Sequence, residues 1–152
     1  MSDTHLRLAE FLPYQLSITS NAVSDLIARA YRVRFGLKIP EWRVMAVLGE
    51  VESVTQRELV AATAMDKVTV NRATKVLDER GLVGRAPNKA DGRSHHLALT
   101  SEGRALYDEI VPQALAIESQ LEAVLGSGEA EKLSATLEKL RHLVDEIDGE
   151  RG

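Results

Sequence analysis

Apolar residues recur along this chain at two different periods, and the switch between them divides it into elements. Leu12, Leu16, Val23, Leu26, Ala30 and Val33 fall at spacings of three, four and seven. That spacing predicts a helix from about Leu12 to Phe35 with these six on one face. Pro13 is tolerated in a first turn, Gly36 suits a stop, and Arg29, Arg32 and Arg34 complement the helix dipole in the last turns. Pro40 opens a second helix to about Val51. Val44, Val47, Leu48 and Val51 form one stripe there, with Trp42 and Met45 apolar on another side, so this helix is expected at the centre of the core. Thr55-Gln56-Arg57-Glu58 has the capping-box form and predicts a short helix to about Ala64. Asp66 then caps a helix to Arg80 that stops at Gly81. Its inward residues are Val70, Ala73 and Leu77. Lys67, Val68, Thr69, Asn71, Arg72 and Lys75 are left for the outer face and its edges.

From Leu82 the period shortens to two. Leu82–Ala86 and the alternating His95, Leu97 and Leu99 flank Asp91-Gly92, a hairpin-turn signal, so two strands and a polar tip are predicted. A long helix follows from Thr100 or Ser101. Pro112 would remove the bond to the Asp108 carbonyl, which predicts a kink or break. Gly126-Ser127-Gly128 ends that segment, with Ser127 as the cap of a last helix. In it Leu133, Leu137, Leu140, Val144 and Ile147 are spaced 4, 3, 4 and 3, a narrow seam suited to a partner helix. Gly149 to Gly152 should fray. Two short helices and then a basic-tipped hairpin are the layout of a winged helix-turn-helix. The predicted fold class is mostly α, α+β in detail: a winged lobe over about 37–100 with a two-stranded wing. Helical dimerisation segments cover about 1–36 and 101–152, all in one domain.

The 152 residues allow one domain of ordinary size, and 44% hydrophobic with 28% charged residues is a globular composition. Aromatics at 4% leave the core to aliphatic side chains, and zero cysteines exclude disulfides and thiol-based sensing. No apolar run approaches the ~18–20 residues of a membrane span. The opening Met1–His5 lacks the features of a signal peptide, so a cytoplasmic protein without a membrane partner is expected. The net charge of −4 disfavours DNA as a sum, but its distribution does not. Residues 1–100 hold 14 Lys/Arg against 11 Asp/Glu, and residues 101–152 hold 5 against 12. An acidic C-terminal part thus masks a basic face.

Base readout needs short side chains on the first turns of a helix, with cations nearby for phosphates. The Asp66–Lys75 segment supplies both. Asn71 can pair with adenine, Arg72 with guanine or a phosphate, and Thr69 with base or backbone. Val68 can pack on a thymine methyl. Lys67 and Lys75 are phosphate candidates, and Thr55 and Gln56, opening the preceding helix, join the DNA-contacting set. On the hairpin Lys89, Asp91 and Arg93 complete it. Asp91 can bond turn amides or hold the Arg93 guanidinium, and an anchored Arg93 can enter a narrow minor groove. The bland alternatives are a solvated helix face and a turn with a surface ion pair. His95 and His96 are adjacent and point to opposite faces of a strand, which disfavours a shared metal ion. With no phosphate loop, ligand cluster or nucleophile motif, neither a cofactor nor enzymatic activity is expected.

The chain resembles the multiple-antibiotic-resistance regulator (MarR) family over nearly its whole length. The likeness rests on the opening helix, Pro40-Glu41-Trp42-Arg43, Met65–Arg72, Glu79-Arg80-Gly81-Leu82-Val83, and Asp91-Gly92-Arg93 with Leu97-Ala98-Leu99-Thr100. It implies a homodimer, joined by first and last helices, that binds palindromic double-stranded DNA operators and is often released by a small ligand. Thr69, Asn71 and Arg72 match the recognition-helix segment, and Asp91 and Arg93 the wing-tip pair. Val68 departs from the small polar residue many members carry. The dimer is expected to bury Leu133, Leu137, Leu140, Val144 and Ile147, with Leu6, Leu8 and Phe11. An effector pocket is expected from Tyr14, Tyr31, Trp42, Arg43, Met45 and Tyr107, for a small aromatic or amphipathic anion. The alternatives are a DNA-binding regulator without an effector, and a helical dimerisation adaptor acting through protein contacts.

Overall fold

The computed structural model describes residues 4–88 and 91–151, with the backbone alone for 86–88, 91–95 and 151. They fall into two compact units, Met1–Ile110 and Val111–Gly152. The first unit begins with a 3-10 turn, Leu8–Glu10, then α1 (Leu12–Phe35) and α2 (Ile39–Glu50). Next come β1 (Val54–Thr55), α3 (Gln56–Thr63), α4 (Lys67–Glu79), β2 (Val83–Asn88) and β3 (Asp91–Leu99). The unit ends within α5 (Ser101–Glu122). The second unit holds the remainder of α5 and α6 (Glu129–Arg151). Among the described residues no helix is long and apolar enough to cross a membrane.

Sequence punctuation fixes the helix ends. Gly36 takes a left-handed φ of 65°, which lets its N–H reach the Arg32 carbonyl at 3.0 Å. Gly81, at φ 73°, closes α4 in the same way. Its N–H bonds to Asp78 and the Leu82 N–H to Leu77, both at 2.9 Å, the paired bonds of a Schellman motif. At the other end of α4 both Asp66 carboxylate oxygens hold Thr69. Oδ1 accepts from the backbone N–H and Oδ2 from the hydroxyl, each at 2.8 Å.

The core gathers around α2. Val44, Met45 and Leu48 are fully buried there, against Leu59 of α3, Val70 and Leu77 of α4, and Leu97 of β3. On α1 the buried residue is Tyr31, which lies outside the expected face; of that face Val23, Leu26 and Ala30 are half-buried, whereas Leu12, Leu16 and Val33, the last at 88%, are exposed. Val51 likewise lies outside α2 and on the surface.

The hairpin of β2 and β3 is the expected two-stranded wing, and a third strand joins it in the antiparallel order β1-β3-β2. Val54 and Thr55 pair with Leu97 and His96, adding a short strand that two residues cannot announce by alternation. Asp91-Gly92 opens β3 and does not form the turn itself, because Asn88 pairs with Asp91 and extends the ladder that far. Pro112 lies inside α5, which continues from Ser101 to Glu122, so the helix does not break there. Before α6 it is Gly128 that stands at the cap position, with φ 78°, and not Ser127. The Gly126 carbonyl accepts from the Glu129 N–H at 3.0 Å, a turn that only glycine closes without strain.

Candidate nucleic-acid interface

α3 and α4 are joined by Ala64, Met65 and Asp66. Ala64 takes a left-handed φ of 54°, which turns the chain sharply out of α3. α4 then lies with Val70, Ala73, Thr74 and Leu77 buried. The Thr74 hydroxyl donates to the Asn71 carbonyl at 3.0 Å, which satisfies the one polar group on that inner face. The opposite face carries exposed Lys67, Val68, Asn71, Arg72 and Lys75, with Thr69 at its edge. Val68 is 59% exposed, an apolar group presented to solvent among cations.

Several of these side chains are already engaged within the protein. The Thr69 hydroxyl donates to Asp66, so it is oriented by the cap of its own helix. Those bonds, the backbone N–H first and then the hydroxyl, hold the Asp66 carboxyl below its ordinary pKa. Thr55 caps α3 by accepting from the Glu58 N–H at 3.1 Å. The return bond of the expected capping box differs: the Glu58 carboxylate receives the Thr55 hydroxyl at 3.1 Å. Thr55 is also the last residue of β1, so its backbone already belongs to the sheet.

Gln56 and Asn71 are brought together. The Gln56 Nε2 donates to Asn71 Oδ1 at 2.6 Å, across the gap between α3 and α4. Arg85 of β2 and Leu97 of β3 line the same cleft. Arg85 was absent from the expected set because a lone cation in a strand pattern carries no signal of what it faces. On the wing, Asp91 and Arg93 lie on β3, with their side chains outside the described atoms; Lys89 lies outside the described residues.

A second cleft separates the start of α2 from the other edge of α4, lined by Lys38, Glu41, Arg72, Lys75, Val76 and Glu79. Glu41 is only 5% exposed. Its Oε1 accepts from the Lys38 N–H at 3.4 Å, a long capping bond at the start of α2.

The residues expected to line an effector pocket are partly gathered. Tyr31 meets the Trp42 ring edge-on at 5.1 Å, and Trp42 stacks with Tyr107 at 6.5 Å. Burial pushes the Tyr31 phenol pKa up. Met45 is sealed in the core, whereas Tyr14 and Arg43 are exposed on α1 and α2. The cation beside the rings is Arg104, 5.3 Å from the centre of Tyr107. The seam residues of α6 face outward from their unit: Leu133, Val144 and Ile147 are exposed, and Leu137 and Leu140 half-buried. Leu6, Leu8 and Phe11 are likewise exposed in theirs.

A tight turn between two short helices, with the second presenting a polar face beside an antiparallel hairpin, defines a winged helix-turn-helix protein. The comparisons agree. A sequence model of the MarR family matches residues 35–94. The MarR-family regulator SPO1453 from Silicibacter pomeroyi is 30% identical, with a TM-score of 0.77 over 92% of this chain and 99% of that one. This chain belongs to the MarR family of transcriptional regulators. CouR from Rhodococcus jostii, solved bound to p-coumaroyl-CoA, is 25% identical, with a TM-score of 0.77 over 90% of this chain and 95% of that one. The transcriptional repressor NicR from Pseudomonas putida is 36% identical over 91 residues, 60% of this chain. Of three curated relatives matched at more than 30% identity, the chain spans 56% to 63% of their length.

Proposed function

We propose that the chain represses transcription as a cytoplasmic homodimer bound to a palindromic DNA operator, and that a small aromatic or amphipathic effector releases it. The observation that carries this reading is the division of α4. One face is locked into the core by Val70, Ala73, Thr74 and Leu77, and the other offers Asn71, Arg72, Lys67, Lys75 and Val68 to solvent. A helix held rigidly on one side and cationic on the other suits the major groove. Lys67, Arg72 and Lys75 contact phosphates, Asn71 and Val68 face base edges, and the wing supplies Lys89, Asp91 and Arg93. The lobe over about 37–100 carries these contacts, and the helices on either side dimerise. Each exposed apolar set, Leu6, Leu8 and Phe11 in one unit and Leu133 to Ile147 in the other, is covered by the second copy. The effector binds beside Tyr31, Trp42 and Tyr107. Support comes from CouR, whose bound acyl group is aromatic.

Selection from a randomised duplex library, followed by anisotropy across a salt series, tests the reading. A palindrome with half-sites about one helical turn apart is expected, with affinity falling steeply with salt. Absence of any enriched sequence favours the adaptor. Trp42 is the single tryptophan, so its fluorescence reports effector binding directly. Quenching by an aromatic acid together with operator release is expected. Quenching without release removes the regulatory role, since an effector must discriminate between two states to shift them.

A further inference from the structure

We propose that Arg57 is a positioning residue for DNA: with Lys67 it lines a cleft between α3 and α4 that grips a backbone phosphate beside the base-reading edge. This rests on the DNA-reading role proposed above for α4.

Arg57 is the second residue of α3 and Lys67 the first of α4, and both are exposed. They line one cleft together with Gln56 and the half-buried Val60. Neither cation has a hydrogen bond or an ion pair among the described residues. Each has an acid beside it in the chain, but both acids are committed to helix caps. The Glu58 carboxylate takes the Thr55 hydroxyl at the start of α3, and the two Asp66 oxygens hold Thr69 at the start of α4. Three and four places from Arg57 stand Ser53, Val54, Val60 and Ala61, none of them acidic, so no helix-face ion pair is on offer. The cleft on the other edge of α4 differs, because Glu41 and Glu79 stand there among Lys38, Arg72 and Lys75.

Two like charges that line one cleft repel each other, and an anion between them replaces repulsion by attraction. The position of the cleft identifies that anion. Lys67 and Asn71 are four residues apart and so share a face of α4. Gln56, next to Arg57, donates to Asn71 at 2.6 Å. The cleft therefore abuts the edge proposed to meet bases. When the start of a recognition helix enters the major groove, the helix before it crosses the sugar–phosphate backbone. A phosphodiester of that backbone is the anion that reaches Arg57. Such a contact carries no sequence information; it sets the register at which α4 reads.

Anisotropy over a salt series, on a duplex selected by the wild type, compares the full-length wild type with Arg57→Gln, Arg57→Lys and Lys139→Gln. Glutamine keeps helix propensity close to that of arginine, so α3 is retained. Lys139 is exposed on α6 and controls for net charge. Arg57→Gln should weaken binding and flatten the slope of log affinity against log salt by about one unit for each copy bound. Arg57→Lys should keep the slope, and Lys139→Gln should match the wild type. Single methylphosphonates, each removing one phosphate charge, then locate the contact. A phosphate whose neutralisation weakens the wild type should become silent in Arg57→Gln, with the selected sequence unchanged. An unaltered slope in Arg57→Gln, an equal loss in Lys139→Gln, or a methylphosphonate scan identical to that of the wild type overturns the proposal while DNA reading by α4 stands. Salt-independent binding by the wild type, or none, removes both.

Discussion

The Tyr107 ring occupies the space that a side chain at Gly49 would fill. Gly49 lies in the last turn of α2 and Tyr107 in the second turn of α5, so the ring packs directly on the α2 backbone. Arg104, one turn before Tyr107, donates to the Gly49 carbonyl at 3.2 Å and lies over the Tyr107 ring. The three residues together lock the start of α5 onto the end of α2, where a cation also meets the negative end of a helix dipole. Because Tyr107 stacks on Trp42, this corner fixes one wall of the aromatic cluster.

Substituting Gly49 by Ala should therefore lower stability by about 1–3 kcal/mol, the usual cost of forcing extra atoms into a packed site. The displaced Tyr107 ring should also change Trp42 fluorescence. Urea unfolding and emission spectra check both, and a stable Gly49→Ala protein with unaltered Trp42 emission would contradict the packing.

Gly103 makes a sharper case. A Cβ there would collide with the backbone carbonyl of Leu82, which cannot swing aside as a side chain can. The same turn is tied down by Thr100, whose hydroxyl donates to the Gly81 carbonyl at 2.6 Å and accepts from the Gly103 N–H at 3.0 Å. Gly103→Ala should cost about 3 kcal/mol or leave the protein unfolded at 37 °C. Gly84→Ala is the control, since its Cβ would sit 3.6 Å from the Thr100 methyl, an ordinary contact. Equal melting temperatures for the two variants would count against the assignment.

How much of this was legible beforehand depends on the range of the interaction. The ends of α1 and α4 follow from Gly36, Asp66 and Gly81, because caps and stops act within a turn of their own residues. The division of α4 into inner and outer faces follows from a period of 3.6. β1 was not legible, since Val54 and Thr55 become a strand only by meeting β3. Nor was the burial of Glu41, or the fit of Tyr107 over Gly49 and of Leu82 over Gly103. A glycine that admits a neighbour looks in sequence like any other glycine. At the candidate site the residue types were readable, but the Gln56–Asn71 pair was not, because it joins two helices through their packing angle.

Arg80 links the end of the recognition-helix candidate to the end of α1. Its two terminal nitrogens donate to the Gly36 and Phe35 carbonyls, both at 3.1 Å. These are the unsatisfied acceptors of a helix C-terminus, where a cation is favoured. Exposure lets water replace part of the interaction, so Arg80→Ala should lose about 1 kcal/mol in urea titration. Arg80→Lys should recover less than half of that, because an ammonium cannot hold two carbonyls in the fork geometry of guanidinium. Full recovery with lysine would reduce the interaction to simple charge.

The α6 seam exposes Leu133, Val144 and Ile147 in a row that a second copy is proposed to cover. Leu140→Asp places a carboxylate in that row, which is costly to bury without a partner. Sedimentation should show monomer, or the protein should precipitate through its uncovered apolar surface. A stable dimer of this variant would move the interface elsewhere.

Acid should loosen α4 from its N-terminus. The two bonds from Thr69 favour the charged form of Asp66, so its folded pKa lies below the unfolded value. A group depressed in this way stabilises the fold fully above the ordinary carboxylate range. That stabilisation falls away as pH drops through the ordinary range and is gone below the folded pKa, where the unfolded chain no longer binds more protons than the native one. Carbon-detected titration of Asp66 should give a midpoint below that of a free aspartate. Asp66→Asn keeps an oxygen for the Thr69 N–H but has no proton to gain, so its stability should change less with pH over that range. An acid transition equally steep in Asp66→Asn and wild type would assign the pH dependence to other carboxylates and leave Asp66 as a cap alone.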